Sequence, residues 1–372
     1  MYADIIVDIT HEKLDKIFQY RIPKEMEGRL QTGMEVLIPF GRANRETKGY
    51  VIGFSEKCNY DPEKIKEITQ ISQNHIAIEA KLVALAAWMK EHYGGTMIQA
   101  LKTVLPIKQQ EKQKEQRSIR LLLDRREAKE RLSYFLSKNQ TARARVVAAL
   151  LDRPILPYEY VTRQLKVTAA VLRAMEEQRI LQIEAEVVYR NPVTAKRTKQ
   201  QSFCYTEAQQ AAIHTFCEEY RRGKRGTYLV YGVTGSGKTE VYMEMIEHVI
   251  AEGKQAIVLI PEIALTYQTV MRFYQRFGDR VSIINSRLSK GERYDQMLRA
   301  KRGEINVMIG PRSALFTPFE RLGLIIIDEE HEGTYKSEQT PRYHARETAI
   351  ARAAMEGASV VLGSATPSME AF

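Results

Sequence analysis

From residue 227 onward, short apolar runs alternate with amphipathic stretches. The runs occupy 227–231, 256–260, 281–284, 305–309, 324–327 and 359–362. They have the length of strands, and helical patterns lie between most of them, so the alternation predicts a doubly wound parallel sheet. Ligands of such sheets sit at the carboxyl ends of the strands. The amino-terminal part has a different rhythm. Ile5-Ile6-Val7, Val36-Leu37-Ile38 and Tyr50-Val51-Ile52 are brief β-branched runs cut by Gly and charged turns. They predict a small β-rich barrel or sandwich up to about residue 75. A helix follows, with Ile78, Leu82, Leu85, Ala86, Met89 and Tyr93 on one face and Gly94-Gly95 as its stop. Pro106 closes this first domain, 1–106.

Between these regions the composition shifts. Residues 107–145 carry 12 Lys and Arg against five Asp and Glu, which reads as a solvated helix face or as a basic arm near nucleic acid. Helical patterns run through 141–151, 158–165 and 168–178, with Thr168 as N-cap of the third. Ile180-Leu181-Gln182-Ile183 and Val187-Val188-Tyr189 read as the two strands of a wing. Short helices ending in a hairpin outline a winged-helix domain over 107–189. Residues 190–202, with four basic and no acidic side chains, read as a linker, leaving 203–372 for the parallel-sheet lobe.

A chain of 372 residues suits two or three domains. Its 56 Lys and Arg against 46 Asp and Glu give a net charge of +10, which fits a polyanionic partner such as nucleic acid or serves solubility alone. Cys58, Cys204 and Cys217 are scattered, so neither a zinc site nor a disulfide framework is indicated. The first residues form no signal peptide, and no apolar run approaches the ~18 residues of a membrane span. A cytoplasmic protein with no membrane partner is the expectation.

The chemistry concentrates in two segments. Gly232-Val233-Thr234-Gly235-Ser236-Gly237-Lys238-Thr239 fits the phosphate-loop pattern at every fixed position, between an apolar run and a helical pattern. Its glycines let backbone N–H groups close around phosphates at a helix N-terminus. Lys238 is then placed for the β- and γ-phosphates of ATP and Thr239 for Mg²⁺. Asp328-Glu329-Glu330-His331 ends another apolar run, expected beside the first. Asp328 suits Mg²⁺, and Glu329 suits orienting the attacking water, with an exposed loop carboxylate as its plainer reading. Gly363-Ser364-Ala365-Thr366, the 261–266 segment and Gly310-Pro311-Arg312-Ser313-Ala314 also follow apolar runs. They put small, polar or basic residues where a nucleic-acid backbone would lie.

With Asp-Glu-x-His and Ser-Ala-Thr paired in this way, the sequence resembles superfamily 2 helicases. The stretch from Gly310 to Pro318, through Leu322 to His331 and into Thr334-Tyr335-Lys336 and Pro341-Arg342-Tyr343-His344-Ala345-Arg346, is similar to one family, primosomal protein N′. The likeness covers essentially the whole chain. It implies a RecA-like first lobe and a winged helix used at the fork. It further implies ATP-dependent 3′-to-5′ unwinding of branched and single-stranded DNA at stalled forks, leading to primosome assembly. Gln209 falls on the family's adenine-reading glutamine, its other reading being an exposed helix residue. Tyr335, Lys336, Arg342, Tyr343, His344 and Arg346 fall on an aromatic-rich loop that couples DNA to hydrolysis. The aromatics and His344 suit stacking on bases, and the basic side chains, with Arg312, suit DNA phosphates.

The same resemblance extends to the first domain. Phe18, Gln19, Tyr20, Gly41 and Lys66 fall on a pocket for the 3′-terminal nucleotide of an arrested leading strand. Alternation along 18–20 equally leaves one face for a core. By resemblance the protein partners are single-stranded DNA-binding protein and primosome proteins. Asn285-Ser286 and Met297 depart from the family pattern away from the nucleotide site. The chain ends six residues after Thr366, before the family's zinc-binding segment and second motor lobe. No zinc ligands and little ATP turnover are therefore expected of it alone. A DNA-binding module with a non-hydrolysing ATP lobe is the competing reading; the first 200 or so residues disfavour an RNA helicase.

Overall fold

The structure, a computed structural model, describes residues 1–58, 60, 61, 64–72, 80–105, 115–187 and 204–372. Two compact units are present, one of residues 1–111 with 191–372 and one of residues 112–190. The larger unit begins with β1 (Tyr2–Val7), β2 (Phe18–Arg21), β3 (Glu35–Phe40), β4 (Arg45–Ser55) and β5 (Gln70–Ile71). These form an antiparallel sheet in the order β2-β1-β4-β3-β5. The stretch leading into β5 also bonds the opposite edge, with Arg21 N donating to Lys66 O and Ile68 N to Arg21 O. Both edges are thereby satisfied, and the sheet curls toward a small barrel. Ala3, Ile5, Val36, Ile38 and Val51, all fully buried, fill its interior.

Next come α1 (Ala80–Tyr93) and α2 (Met97–Val104), separated by Gly94 and Gly95, whose φ values of +73° and +84° end α1. The second helix was not expected. The inner face of this pair (Leu82, Leu85, Ala86, Met89, Ile98, Leu101) shares one apolar cluster with Ile257, Leu259, Ile325 and Ile327 of the carboxyl-terminal lobe. Burying each such Leu contributes about 1.5–3 kcal/mol. Residues 1–106 and the lobe are thus joined through a common core.

The smaller unit runs β6 (Glu115–Leu121), α3 (Arg125–Ser137), α4 (Thr141–Asp152), β7 (Ile155–Pro157), a π-helical turn at Tyr160–Gln164, α5 (Ala169–Glu177) and β8 (Leu181–Val187). Its sheet is antiparallel, in the order β7-β6-β8. The expected wing hairpin is corrected here: 181–187 is one strand, paired with β6 from Leu121↔Leu181 to Glu115↔Val187. Val188, Tyr189 and the 190–202 linker lie outside the described residues. The basic stretch also holds β6, which was not expected, and α3, in keeping with the solvated helix face read there; its N-cap Asp124 accepts from Arg126 N and Glu127 N at 2.8 Å. Thr168 occupies the N-cap position of α5 without a side-chain bond.

The lobe comprises α6 (Glu207–Arg221), β9 (Thr227–Tyr231), α7 (Lys238–Ala251), β10 (Gln255–Leu259), α8 (Tyr267–Phe277), β11 (Val281–Ile283), α9 (Lys290–Lys301), β12 (Val307–Gly310), β13 (Leu322–Ile327), α10 (Ala345–Glu356) and β14 (Ser359–Ser364). The six strands form a parallel sheet in the order β11-β12-β10-β13-β14-β9. One expectation changes: β13, which Asp328 follows, does not adjoin β9, because β14 pairs with both.

Candidate nucleotide cradle and DNA-end cavity

Residues 232–239 turn from β9 into α7. Gly235 and Gly237 take φ of +80° and +79°, values open to glycine but strained for other residues. A Cβ on Gly237 would also lie 2.5 Å from Gln209 Nε2. Gln209 is held at both ends of its amide. Oε1 accepts from Thr206 N at 2.9 Å in the capping box of α6, and Nε2 donates to Ser236 O at 2.7 Å. It stands against the phosphate loop, not free on a helix surface. Lys238, 9% exposed, donates through Nζ to Gly232 O at 2.7 Å. Its ammonium lies folded over the loop, and Thr239 follows it in the first turn of α7.

Asp328 faces this loop from the end of β13. Tyr242 OH, one turn along α7, donates to Asp328 Oδ1 at 3.2 Å. Tyr242 crosses Gly363 to reach it, for a Cβ on Gly363 would lie 1.5 Å from the phenolic oxygen. Burial, and then the neighbouring Glu329 charge, push the Asp328 carboxyl above its ordinary value, while Tyr242 and Lys238 hold it down. Asp328 has no salt bridge among the described residues. A desolvated carboxylate with no direct ion pair fits a divalent metal.

Glu329 has φ of +48°, a left-handed backbone unusual for a glutamate. The conformation costs of order 1 kcal/mol and is held by Glu330 N donating to Gly363 O at 3.0 Å. His331 Nδ1 lies 2.7 Å from Ser364 Oγ and 3.8 Å from Glu329 Oε2. The Asp328–His331 and Gly363–Thr366 segments are therefore bonded to one another beside the loop.

The 335–346 stretch departs from expectation. Tyr335 and Tyr343 are 1% and 4% exposed, so neither ring offers a face to a base. Tyr335 OH lies 2.6 Å from Asp328 O and 3.0 Å from Leu259 O, and Tyr343 packs edge-on against Phe316 at 5.4 Å. Arg346, read as a phosphate contact, is 8% exposed and donates to Glu330 Oε2 at 3.0 Å and to Ser368 Oγ. Burial forces each polar group onto an internal partner, and these side chains serve the loop's own fold. His344 is the N-cap of α10, its Nδ1 accepting from Arg346 N at 3.2 Å. Burial, then the Arg346 charge, push its imidazole below the ordinary value, which suits an acceptor. Lys336 and Arg342 remain exposed. Arg312 donates to Thr334 O at 2.9 Å and Lys336 O at 2.6 Å, holding the loop beside a groove of about 580 Å³.

In the β domain, Phe18, Gln19, Tyr20, Gly41 and Lys66 converge on one cavity of about 470 Å³, with Phe40, Tyr60, Ile65 and the Asp61–Lys64 ion pair completing its wall. Phe18 supplies a half-buried ring, edge-on to Phe40 at 5.2 Å. Gln19 and Tyr20 are largely buried, their polar ends spent on Asp4 Oδ1 at 3.1 Å and Pro39 O at 3.3 Å. Burial pushes the Tyr20 phenol up to about 12. Lys66 Nζ donates to Gly41 O at 2.6 Å, placing a cation at the rim.

The sequence is similar to those of known proteins. Residues 4–106 match the family described as 3′DNA-binding domain (3′BD), and residues 206–372 match the DEAD/DEAH box helicase family. Over its full length the chain is 32% identical to the Replication restart protein PriA of Bacillus subtilis (strain 168), covering 54% of that protein. Its identity to the protein of that name from Chlamydia trachomatis is 34%, again over the full chain and 50% of the relative. The chain belongs to the PriA family. It spans about half the length of these curated relatives. Against the Rickettsia conorii PriA, identity is 49% over 38% of this chain and 22% of that protein.

One contributor to the cradle escaped sequence reading, Tyr242. It stands beside a quoted motif, but its contacts with Asp328 and with Gly363 of the quoted 363–366 segment span residues far apart in the chain, so spacing carries no trace of them.

Proposed function

We propose that this chain recognises the 3′ end of a nascent strand at a branched DNA fork and holds ATP for a 3′-to-5′ helicase that restarts replication. The observation that carries this is the convergence of Phe18, Gln19, Tyr20, Gly41 and Lys66 on one cavity within the segment matched by the 3′DNA-binding domain family. An aromatic face, a glycine-lined edge and a lysine suit a stacked terminal base with a phosphate close by.

At the cradle, Lys238 leaves the Gly232 carbonyl for the β- and γ-phosphates of ATP, and Gln209 stands where an adenine is read. Thr239 and Asp328 would hold Mg²⁺, which when bound would neutralise charge on the phosphates. Glu329 orients the attacking water. Lys336, Arg342 and the outer edge of Arg312 meet the DNA backbone along the groove. For residues 107–189 the reading is a winged-helix domain acting on the fork. Single-stranded DNA-binding protein and primosome proteins, in a cytoplasmic setting, are the partners that go with this function.

The test is fluorescence anisotropy with forks ending in a 3′-hydroxyl or a 3′-phosphate. The unaltered chain is expected to prefer the hydroxyl. A stacked base is worth ~1–3 kcal/mol, so Phe18→Ala should weaken binding of the 3′-hydroxyl fork about 5- to 150-fold, and Phe18→Ala or Lys66→Ala should each weaken the preference, with duplex binding retained. Equal affinity of the unaltered chain for both ends would overturn the proposal.

A further inference from the structure

The helices α1 and α2 touch both the β domain and the lobe, and the polar contacts at their junction are not used by the function proposed above. Asp15 lies three residues before Phe18. Its side chain is 10% exposed, accepts from Met97 N at 2.7 Å in the first turn of α2, and pairs with Lys90 Nζ at 2.7 Å in the last turn of α1. A carboxylate at a helix N-terminus with a lysine beside it fixes position and direction together. One turn further on, Tyr93 ends α1.

Tyr93 reaches the lobe. Its hydroxyl donates to Glu347 in the first turn of α10 and lies 3.5 Å from His344 O. Lys336 Nζ stands 5.2 Å from the centre of its ring. Gly95 brings the helix junction so near the same loop that a Cβ there would meet Thr340 Cγ2 at 2.9 Å. Burial, with the Glu347 bond, pushes the Tyr93 phenol up to about 12, so it remains a donor at neutral pH. From Lys336 the connection is short, because the adjacent Tyr335 bonds the Asp328 carbonyl.

The geometry points to Tyr93 as the positioning residue through which a DNA end in the Phe18 cavity alters nucleotide affinity at the Lys238–Asp328 cradle, which rests on the function proposed above. A displacement of β2 moves Asp15, and with it Lys90 and the N-terminus of α2. The Tyr93 ring then shifts against Lys336 and Glu347, and the loop carrying Tyr335 follows.

Such coupling is reciprocal, so it is measurable from either ligand. The affinity of the full chain for a fluorescent, non-hydrolysable ATP analogue is measured alone and with a saturating 3′-hydroxyl fork. Fork affinity is then measured with and without the analogue. The unaltered chain is expected to show a factor of at least about five, equal in both directions. In Tyr93→Ala and in Asp15→Asn the factor falls toward one, while affinity for each ligand alone stays within about twofold. Tyr93→Phe, which keeps the ring and loses the Glu347 bond, keeps part of it, and the Tyr93→Ala, Asp15→Asn double variant loses no more than either single one. If Tyr93→Ala fails to fold, Asp15→Asn and Tyr93→Phe decide in its place. Full coupling in these variants, or none in the unaltered chain, overturns the relay even where the 3′-hydroxyl preference stands. Absence of that preference, or of analogue binding, in the unaltered chain overturns both the relay and the function beneath it.

Discussion

Replacing Arg346 with Met separates two views of the loop that contains it. Read as a DNA contact, the guanidinium neutralises a phosphate. Its loss then makes the salt dependence of binding shallower by about one unit of slope, and folding is untouched. The structure assigns a different role. Arg346 and Glu330 are 8% and 1% exposed, their charges 3.0 Å apart, with Ser368 N donating to Glu330 at 2.7 Å as well. Removing one member of such a pair leaves a charge buried without its counter-ion, at a cost of about 3–5 kcal/mol. For a large unit, at roughly 2–4 °C per kcal/mol, the melting temperature should fall by about 6–20 °C. Calorimetry on the full chain reads this directly, and DNA titrations at several salt concentrations read the alternative. Adding Glu330→Gln removes the stranded charge, so the double variant should melt above Arg346→Met alone. An unmoved melting transition with a shallower salt slope would refute the structural reasoning.

Two further outcomes concern the cradle. Tyr242→Phe removes one hydrogen bond to the Asp328 carboxylate, worth about 1.5–3 kcal/mol when the acceptor is charged. The Mg²⁺ concentration needed for half-saturation by a fluorescent ATP analogue should rise about tenfold or more, and an unchanged value would show that Tyr242 does not position Asp328. Asp328→Asn should raise the melting temperature at neutral pH while abolishing Mg²⁺-dependent nucleotide binding. The sign follows from burial, which raises the folded-state pKa above the unfolded value. The protonated form suits the fold, and that stability is lost as pH rises through the folded pKa. Melting curves of the two proteins should therefore converge in acid; a gap that widens there would contradict the sign.

Much of the lobe is legible in the sequence because its signals are local. Six apolar runs of strand length, each bounded by turn chemistry, need no knowledge of the partner strand to be recognised. The phosphate loop is equally local, since its glycines, Lys238 and Thr239 fall within eight consecutive positions. The capping box that starts α3, Asp124 with Glu127 three positions on, is also local, and the solvated helix face was one of the two readings of that stretch. Long-range pairing is another matter. Residues 181–187 look like half of a hairpin until β6, more than 60 positions earlier, is found beside them.

By itself the sequence determined the strand and helix alternation, the glycine-rich loop of 232–239 and the acidic cluster at a strand end. Each depends on residue type and short spacing. Only the tertiary structure decided that β14 lies between β13 and β9, that Tyr242 reaches Asp328 across Gly363, and that α1 and α2 join the β domain to the lobe. It also decided which aromatic and basic side chains of the 335–346 loop meet water and which are buried. Burial is set by what packs against a residue from elsewhere in the chain, and Tyr335, Tyr343 and Arg346 find those neighbours only once the fold has brought distant segments together.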